Sequence, residues 1–346
     1  MVTPSLHATR SDCLPDPPLG DIMRIEARWQ PLIVTGVNTI SECTVAPQKS
    51  RSVMASRRNR VSPRIISGYG AALASALLVG IFTVLNKWLL VEHVPALTAG
   101  SYTYLAAGLA LLPWALRAKG WKIERPWATF GWLMAGSVVG PSLYFVGLKL
   151  TSGVQGVLLI NTEAVFTAVL AFVFFREALT RRTLWGSLTI LGGAVWLSWS
   201  GSLLSAHTLG NLMIALGYLG WATENNLGRV LGEEIPAVTL VCVKALVAGV
   251  AMGTLALVFH ESLGISWHVV PGIIASGAFS LGLSLALFYI AMQHIGAGRT
   301  GLLSSTATLW GGVAAVILLG DTVTVRVVGA GTLMLFGIVG LSLESA

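Results

Sequence analysis

From Ser67 to the end of the chain, apolar stretches follow one another with almost nothing between them. Ten can be drawn: 67–90, 95–116, 127–149, 152–175, 183–203, 208–230, 236–259, 267–292, 297–319 and 325–344. Each is near the ~20 residues that a helix needs to cross the ~30 Å hydrocarbon core of a bilayer. Lipid offers no partner for backbone N–H and C=O groups, so runs of this length must be helical. The fold class that follows is an all-α membrane protein with ten transmembrane helices. Only 11% of the residues are charged, against 54% that are apolar. So few charges cannot cover a water-facing surface, which excludes a soluble enzyme, a disordered protein and a nucleic-acid binder.

Residues 1–65 differ. They are rich in proline, carry scattered charges and contain no long apolar run; the best, Pro31 to Val37, is too short to span. One reading is a disordered extension. The other is a translation start at Met54, just before Arg57, Arg58 and Arg60. On both readings residues 1–53 are dispensable: a chain beginning at Met54 is expected to insert and transport normally. Loss of its membrane expression would count against this.

Charge sets the orientation. With the N-terminus inside, thirteen basic residues flank the inner face: Arg57, Arg58, Arg60, Arg64, Arg117, Lys119, Lys122, Arg125, Arg176, Arg181, Arg182, Arg229 and Arg299. Only Lys149 and Arg326 flank the outer face. This asymmetry follows the positive-inside rule and puts both termini in the cytoplasm of a cell whose inner membrane holds the protein.

The chain also repeats itself. Glu177-Ala-Leu-Thr180-Arg-Arg182 and Asp321-Thr-Val-Thr324-Val-Arg326 share an acid-x-x-Thr-x-Arg pattern. Tyr144, Gly153 and Gly156 match Tyr289, Gly298 and Gly301, and Gly80, Thr83 and Asn86 match Gly220, Thr223 and Asn226. The halves, 67–203 and 208–344, hold five spans each. Five is odd, so the second half must lie upside down relative to the first. Inverted repeats recur in secondary transporters, where two similar halves exchange conformations around a shared site.

Residues 67–344 resemble the drug/metabolite transporter superfamily in its EamA-type, ten-helix branch. The segment that carries the resemblance runs from Asn161 to Thr180, NTEAVFTAVLAFVFFREALT, and is similar to that family's fourth helix. The second copy, Trp310 to Thr324, is weaker and has Asp321 where Glu is more usual; Ala164 stands where relatives often have proline. The resemblance implies an exporter or exchanger of small polar or amphipathic metabolites, with amino-acid-like compounds as the first expectation. It also implies a site between helices 1–4 and 6–9, with helices 5 and 10 peripheral. A lipid-carrier flippase and an intramembrane enzyme are the alternatives.

A charge inside a bilayer costs at least about 2.5–3.5 kcal/mol on insertion scales and needs a reason. Glu163 lies eleven residues from Ser152 and twelve from Phe175, too deep for its short side chain to reach water at either end. Gln155, Leu159, Thr162, Glu163 and Phe166 share one broad helical face. Glu163 reads as a proton-titratable or substrate-binding carboxylate, or else as a neutral tie between helices. Trp221, Glu224, Asn225 and Gly228 form a polar-aromatic stripe that suits a polar ligand or a cation stacked on the indole. Glu224 could equally be solvated near Arg229. Asn86 and Lys87 are substrate-contact candidates; snorkelling explains Lys87 as well, and Lys244 likewise. Glu177 and Asp321 read as structural helix ends, paired with the Arg that follows, with Thr180 and Thr324 capping the next helices. Gly272, Ser276, Ser280 and Ser284, and Gly136 with Gly140, supply small faces for close packing, and Gly140-Pro141 marks a kink. No metal or cofactor motif and no nucleotide loop is present, so gradients must drive transport. The partners implied are a small-molecule substrate, the lipid bilayer and protons, with no nucleic acid; a homodimer is compatible with this reading.

Overall fold

The structure, a computed structural model, describes residues 63–118, 127–176, 180–199, 202, 205–231 and 235–342. Residues 1–62, and with them the Met54 expectation, lie outside the described residues, as does Glu177. Ten helical units follow in chain order. They are α1 (Pro63–Val91), α2 (Ala96–Arg117), α3 (Trp127–Leu150), α4 (Gly153–Leu159 with Asn161–Phe175) and α5 (Arg181–Ser198). The second half contains α6 (Ala206–Leu231), α7 (Ala237–Val258), α8 (Trp267–Ile295), α9 (Ala297–Ser304 with Ala307–Leu319) and α10 (Val325–Ser342).

Cross-links fix which helix ends lie together. Ser67 Oγ at the start of α1 meets His294 Nδ1 at the end of α8, at 3.2 Å. At the opposite end, Lys87 Nζ donates to Leu148 O at 3.0 Å, Val154 N donates to Asp321 Oδ2 at 2.8 Å, and Arg326 Nη1 donates to Trp199 O. α1 therefore starts at the end of the bundle where α8 finishes. α6 starts at the end where α3 and α5 finish. The two halves are antiparallel copies, and their packing exchanges as such: α1 packs on α8 and α6 on α3, while α2 packs on α7 and α5 on α10.

Small residues set these contacts. A lipid-embedded helix gains little from the hydrophobic effect, so close van der Waals approach holds the pairs together. Along α3 and α6 the backbones nearly touch: a Cβ at Gly147 would lie 2.6 Å from Gly210 O, and one at Gly217 would lie 2.8 Å from Gly140 O. α3 remains one helix through Gly140-Pro141; Gly140 serves as contact surface for α6. Large apolar side chains such as Trp132, Trp185 and Phe336 point outward, as a lipid-facing surface requires.

Three helices are irregular. α8 winds as a π-helix over Ala275–Leu283, a rare form that collects at functional sites. α4 is interrupted at Ile160 and α9 at Ser305–Thr306. These breaks occupy matching places in the repeat. In each, an i→i−3 bond replaces the helical one: Ile160 N to Val157 O at 3.3 Å, and Thr306 N to Leu303 O at 3.0 Å. Each of the two helices then ends on a left-handed residue, Arg176 (φ 55°) and Gly320 (φ 67°).

Asp321 does not follow the expected pairing with Arg326. Its carboxylate accepts the free N–H of Val154 in the first turn of α4, where the helix dipole favours an anion. Arg326 turns instead to the carbonyl of Trp199, the residue that ends α5. Thr180 and Thr324 do cap, accepting from Thr183 N at 3.2 Å and Val327 N at 3.3 Å.

Candidate functional site

The break in α4 turns its second piece so that Glu163 faces a cavity of about 910 Å³. The cavity's polar lining includes Ser75, Asn161, Thr167, Asn225, Ser284 and Thr308. Its outer walls reach Thr183, Gly301 and Leu341, all at the end of the bundle where α1 starts. It runs inward to Val79, near the middle of α1, and to Ile160 at the break in α4. A smaller chamber of about 230 Å³ adjoins it. Phe82, Tyr104, Tyr218 and Trp221 give the chamber aromatic walls; Glu224 and Lys244 give it charge. Glu163 and Ser284 line both spaces and stand between them.

Two acidic groups meet this boundary in different ways. Glu163 is half-buried, and Asn225 Nδ2 donates to its Oε1 at 2.7 Å. Glu224 is only 3% exposed. Lys244 Nζ donates to its Oε2 at 2.6 Å, while its Oε1 has no hydrogen-bond partner. Glu224 is thus not solvated beside Arg229, and Lys244 does not snorkel. α6 and α7 pack both against the chamber, and each side chain supplies the other's counter-charge. Adjacent residues on a helix point about 100° apart, so Glu224 reaches the small chamber while Asn225 reaches the wide cavity.

The other expected residues distribute as follows. Gln155 precedes the α4 break and lines neither space; its Oε1 accepts from Thr151 and Asn211 near the opposite end of the bundle. Thr162 is buried and bonds back to Leu159 O. Phe166 packs against the main apolar core. The face drawn through Gln155 and Glu163 assumed one unbroken helix, and the turn at Ile160 divides it. Asn86 is fully buried: it accepts from Thr103 and Ser276, tying α1 to α2 and α8. Lys87 donates to the terminal carbonyls of α3, where a cation suits the dipole. Neither Asn86 nor Lys87 lines the cavities.

Sequence reasoning missed Asn161, Tyr104 and Tyr218. Asn161 Oδ1 accepts from Thr308, joining the two broken helices, while its Nδ2 is buried without a partner beside the wide cavity. An amide inside an apolar run was a legible signal for Asn161. The tyrosines carried none, because aromatic residues are ordinary in membrane helices.

The end opposite the wide cavity is packed shut. Tyr144 is fully buried, its hydroxyl donates to Thr83 Oγ1 at 2.9 Å, and its ring lies 5.1 Å from that of Trp221 and 5.8 Å from that of Tyr218. The matching pair in the other half makes no such bond: Thr223 bonds back to Leu219 O, and Tyr289 is half-buried. The same repeat pair is bonded in one half and not in the other.

Comparison with known proteins agrees with this architecture. A protein of Methanothermobacter thermautotrophicus, named as an uncharacterized transporter, is 28% identical over 295 residues, spanning 80% of this chain and 86% of its own. The uncharacterized transporter YetK of Bacillus subtilis is 25% identical over 267 residues, spanning 74% of this chain and 79% of its own. A crystal structure superposes with a TM-score of 0.59 over 81% of this chain and 98% of its own, at 18% identity, a likeness of fold alone. The family model for EamA-like transporters matches twice, at residues 66–199 and 208–343, one match to each five-helix half. The chain therefore belongs to the EamA-like transporter family, and it is a multi-pass membrane transporter rather than an enzyme.

Proposed function

We propose that this protein is a proton-coupled exporter of small amphipathic metabolites, working by alternating access between its two halves. One observation carries the reading. A cavity open at a single end stops at Glu163, half-way through the bundle, while the repeat-related gate at the other end is shut by the Tyr144–Thr83 bond. By the positive-inside asymmetry, the open end is cytoplasmic and the state is inward-facing; both termini then lie in the cytoplasm, consistent with a bacterial-type inner membrane. The repeat supports a mirror state, in which Tyr289 bonds Thr223 and the Tyr144–Thr83 bond is released. Glu163 is the coupling group in this scheme. Access of water governs whether a carboxylate holds its proton, so alternating exposure lets it load on one side and release on the other. Substrate competes for the same carboxylate, which makes the exchange an antiport.

A lipid-carrier flippase would need a groove running the length of a lipid-facing helix. The wide cavity ends midway, which favours a compact solute. The first test is metabolite profiling of cells with and without the protein. Candidates, starting with amino-acid-like compounds, are then added to everted vesicles while internal pH is followed. A transported solute is expected to dissipate an imposed proton gradient; accumulation with no proton movement would overturn coupling.

Orientation has its own test. Thr180→Cys and Thr322→Cys stand at opposite ends of the bundle, and both positions are exposed. An impermeant thiol reagent added outside intact cells is expected to label position 322 and spare position 180. The reverse pattern would invert the topology, and equal labelling would contradict the inverted repeat.

A further inference from the structure

We infer that the inner chamber is a binding site for a small organic amine without a carboxylate, an inference that rests on the transport reading and departs from its amino-acid-like first candidates. The first observation is charge. Two carboxylates, Glu163 and Glu224, and one ammonium, Lys244, line the chamber. With all three ionised, the site carries one uncompensated negative charge. A monocation restores neutrality, whereas an anion or a zwitterion does not.

The second observation is the unused acceptor. Glu224 Oε1 is buried without a partner in a side chain only 3% exposed. A buried carboxylate oxygen left unpaired is costly, so this position calls for a donor. The charge of Lys244 is already matched: its Nζ is held by Glu224 at 2.6 Å, so a ligand carboxylate would add a negative charge with no cation of its own in the chamber lining.

The third observation is the wall. Phe82, Tyr104, Tyr218 and Trp221 surround the acidic groups, and the Tyr218 and Trp221 rings lie 5.0 Å apart. Aromatic faces attract cations, most strongly where water is excluded. The chamber's volume of about 230 Å³ lies below the roughly 300–1,000 Å³ of sites for drug-sized ligands. A single-ring amine suits that space, with its ammonium toward Glu224 Oε1 and its ring against the tyrosines. The amine enters through the wide cavity and passes Glu163, the carboxylate that lines both spaces.

Binding to purified protein in nanodiscs, read by quenching of tryptophan fluorescence and by calorimetry, tests this directly. Three probes share one body and differ in charge: phenethylamine, phenylalanine and 3-phenylpropionate. Phenethylamine is expected to bind at least about tenfold more tightly than phenylalanine, whose added carboxylate would sit beside Glu163 and Glu224 without a counter-charge, with 3-phenylpropionate, which lacks the ammonium, weakest. Glu224→Gln should weaken phenethylamine by at least about tenfold, and Glu224→Asp, which keeps the charge, should retain most of the affinity. Equal or tighter binding of phenylalanine overturns the inference, as does unchanged phenethylamine binding in folded Glu224→Gln. If Glu224→Gln fails to fold, the wild-type ranking and Glu224→Asp still decide. Counterflow in proteoliposomes separates the two readings. Phenethylamine that binds but does not exchange upholds the chamber and counts against such an amine as the transported solute; absent binding overturns the chamber, whatever else is transported.

Discussion

Glu163→Gln is expected to abolish pH-driven transport while leaving the protein folded and inserted. The substitution keeps the side chain's size and its hydrogen-bonding capacity. The new amide can still accept from Asn225 Nδ2 through its carbonyl oxygen, the bond now made at 2.7 Å. What it removes is the titration. With no group to carry a proton between the two faces, a pH gradient can no longer drive the cycle, and proton-linked flux should fall by at least about a hundredfold, within the ~10²–10⁴-fold that a single proton-transferring group contributes. Exchange of substrate down its own gradient should survive at weaker affinity, because the cavity and the gates are untouched and only the carboxylate that substrate shares with the proton is lost. The measurement is substrate efflux from proteoliposomes at a series of imposed pH differences, beside counterflow with no pH difference. A variant that keeps the wild-type pH dependence would reduce Glu163 to a hydrogen-bonding tie. Glu224 would then be the next carboxylate to test.

Gly80→Leu is expected to remove folded protein from the membrane, whereas Gly312→Leu should be tolerated. The two substitutions add the same apolar side chain to helices of the same bundle. At Gly80 a Cβ would collide with Ala307 O and lie 2.8 Å from Gly311 N, so α1 and the second piece of α9 would have to separate along their length. Rigid backbone on both sides leaves nowhere for the side chain to go, and overpacking of this kind costs ~1–3 kcal/mol or more. At Gly312 nothing lies within 4 Å of the added carbon. Detergent extraction followed by size-exclusion chromatography and thermal unfolding distinguishes the pair. Comparable yield and Tm for both variants would mean that the α1–α9 contact is not needed for the fold.

Much of this molecule was legible in its residues, and the reasons are physical. Ten apolar runs with short connections admit only a helical bundle in lipid, because the backbone has no other way to satisfy itself there. Five spans per half force the second copy to invert. The matched residues Thr83 and Thr223, and Tyr144 and Tyr289, announced a repeated unit before any coordinates. The depth of Glu163 marked it as costly and therefore in need of a role. Relations between distant residues were not legible in the same way. The break at Ile160 falls on an ordinary aliphatic residue with no proline beside it, and only the structure places it next to the Asn161–Thr308 bond that joins α4 to α9. That break moves Gln155 out of the cavity and keeps Glu163 in.

The ion pair between Glu224 and Lys244 shows the same division. In the sequence Glu224 could be solvated and Lys244 could snorkel, and a spacing of twenty residues does not say whether they meet. Periodicity reports which face of a helix a residue occupies, never which helix that face meets. The tertiary structure alone decided that α6 and α7 close on one aromatic chamber, and that Tyr104, an unmarked residue in an apolar run, forms part of its wall. It also decided which gate is shut. The two halves carry the same matched residues, so nothing in the sequence prefers one over the other. The Tyr144–Thr83 bond made, and its counterpart unmade, is a property of one packed conformation rather than of the chain that adopts it.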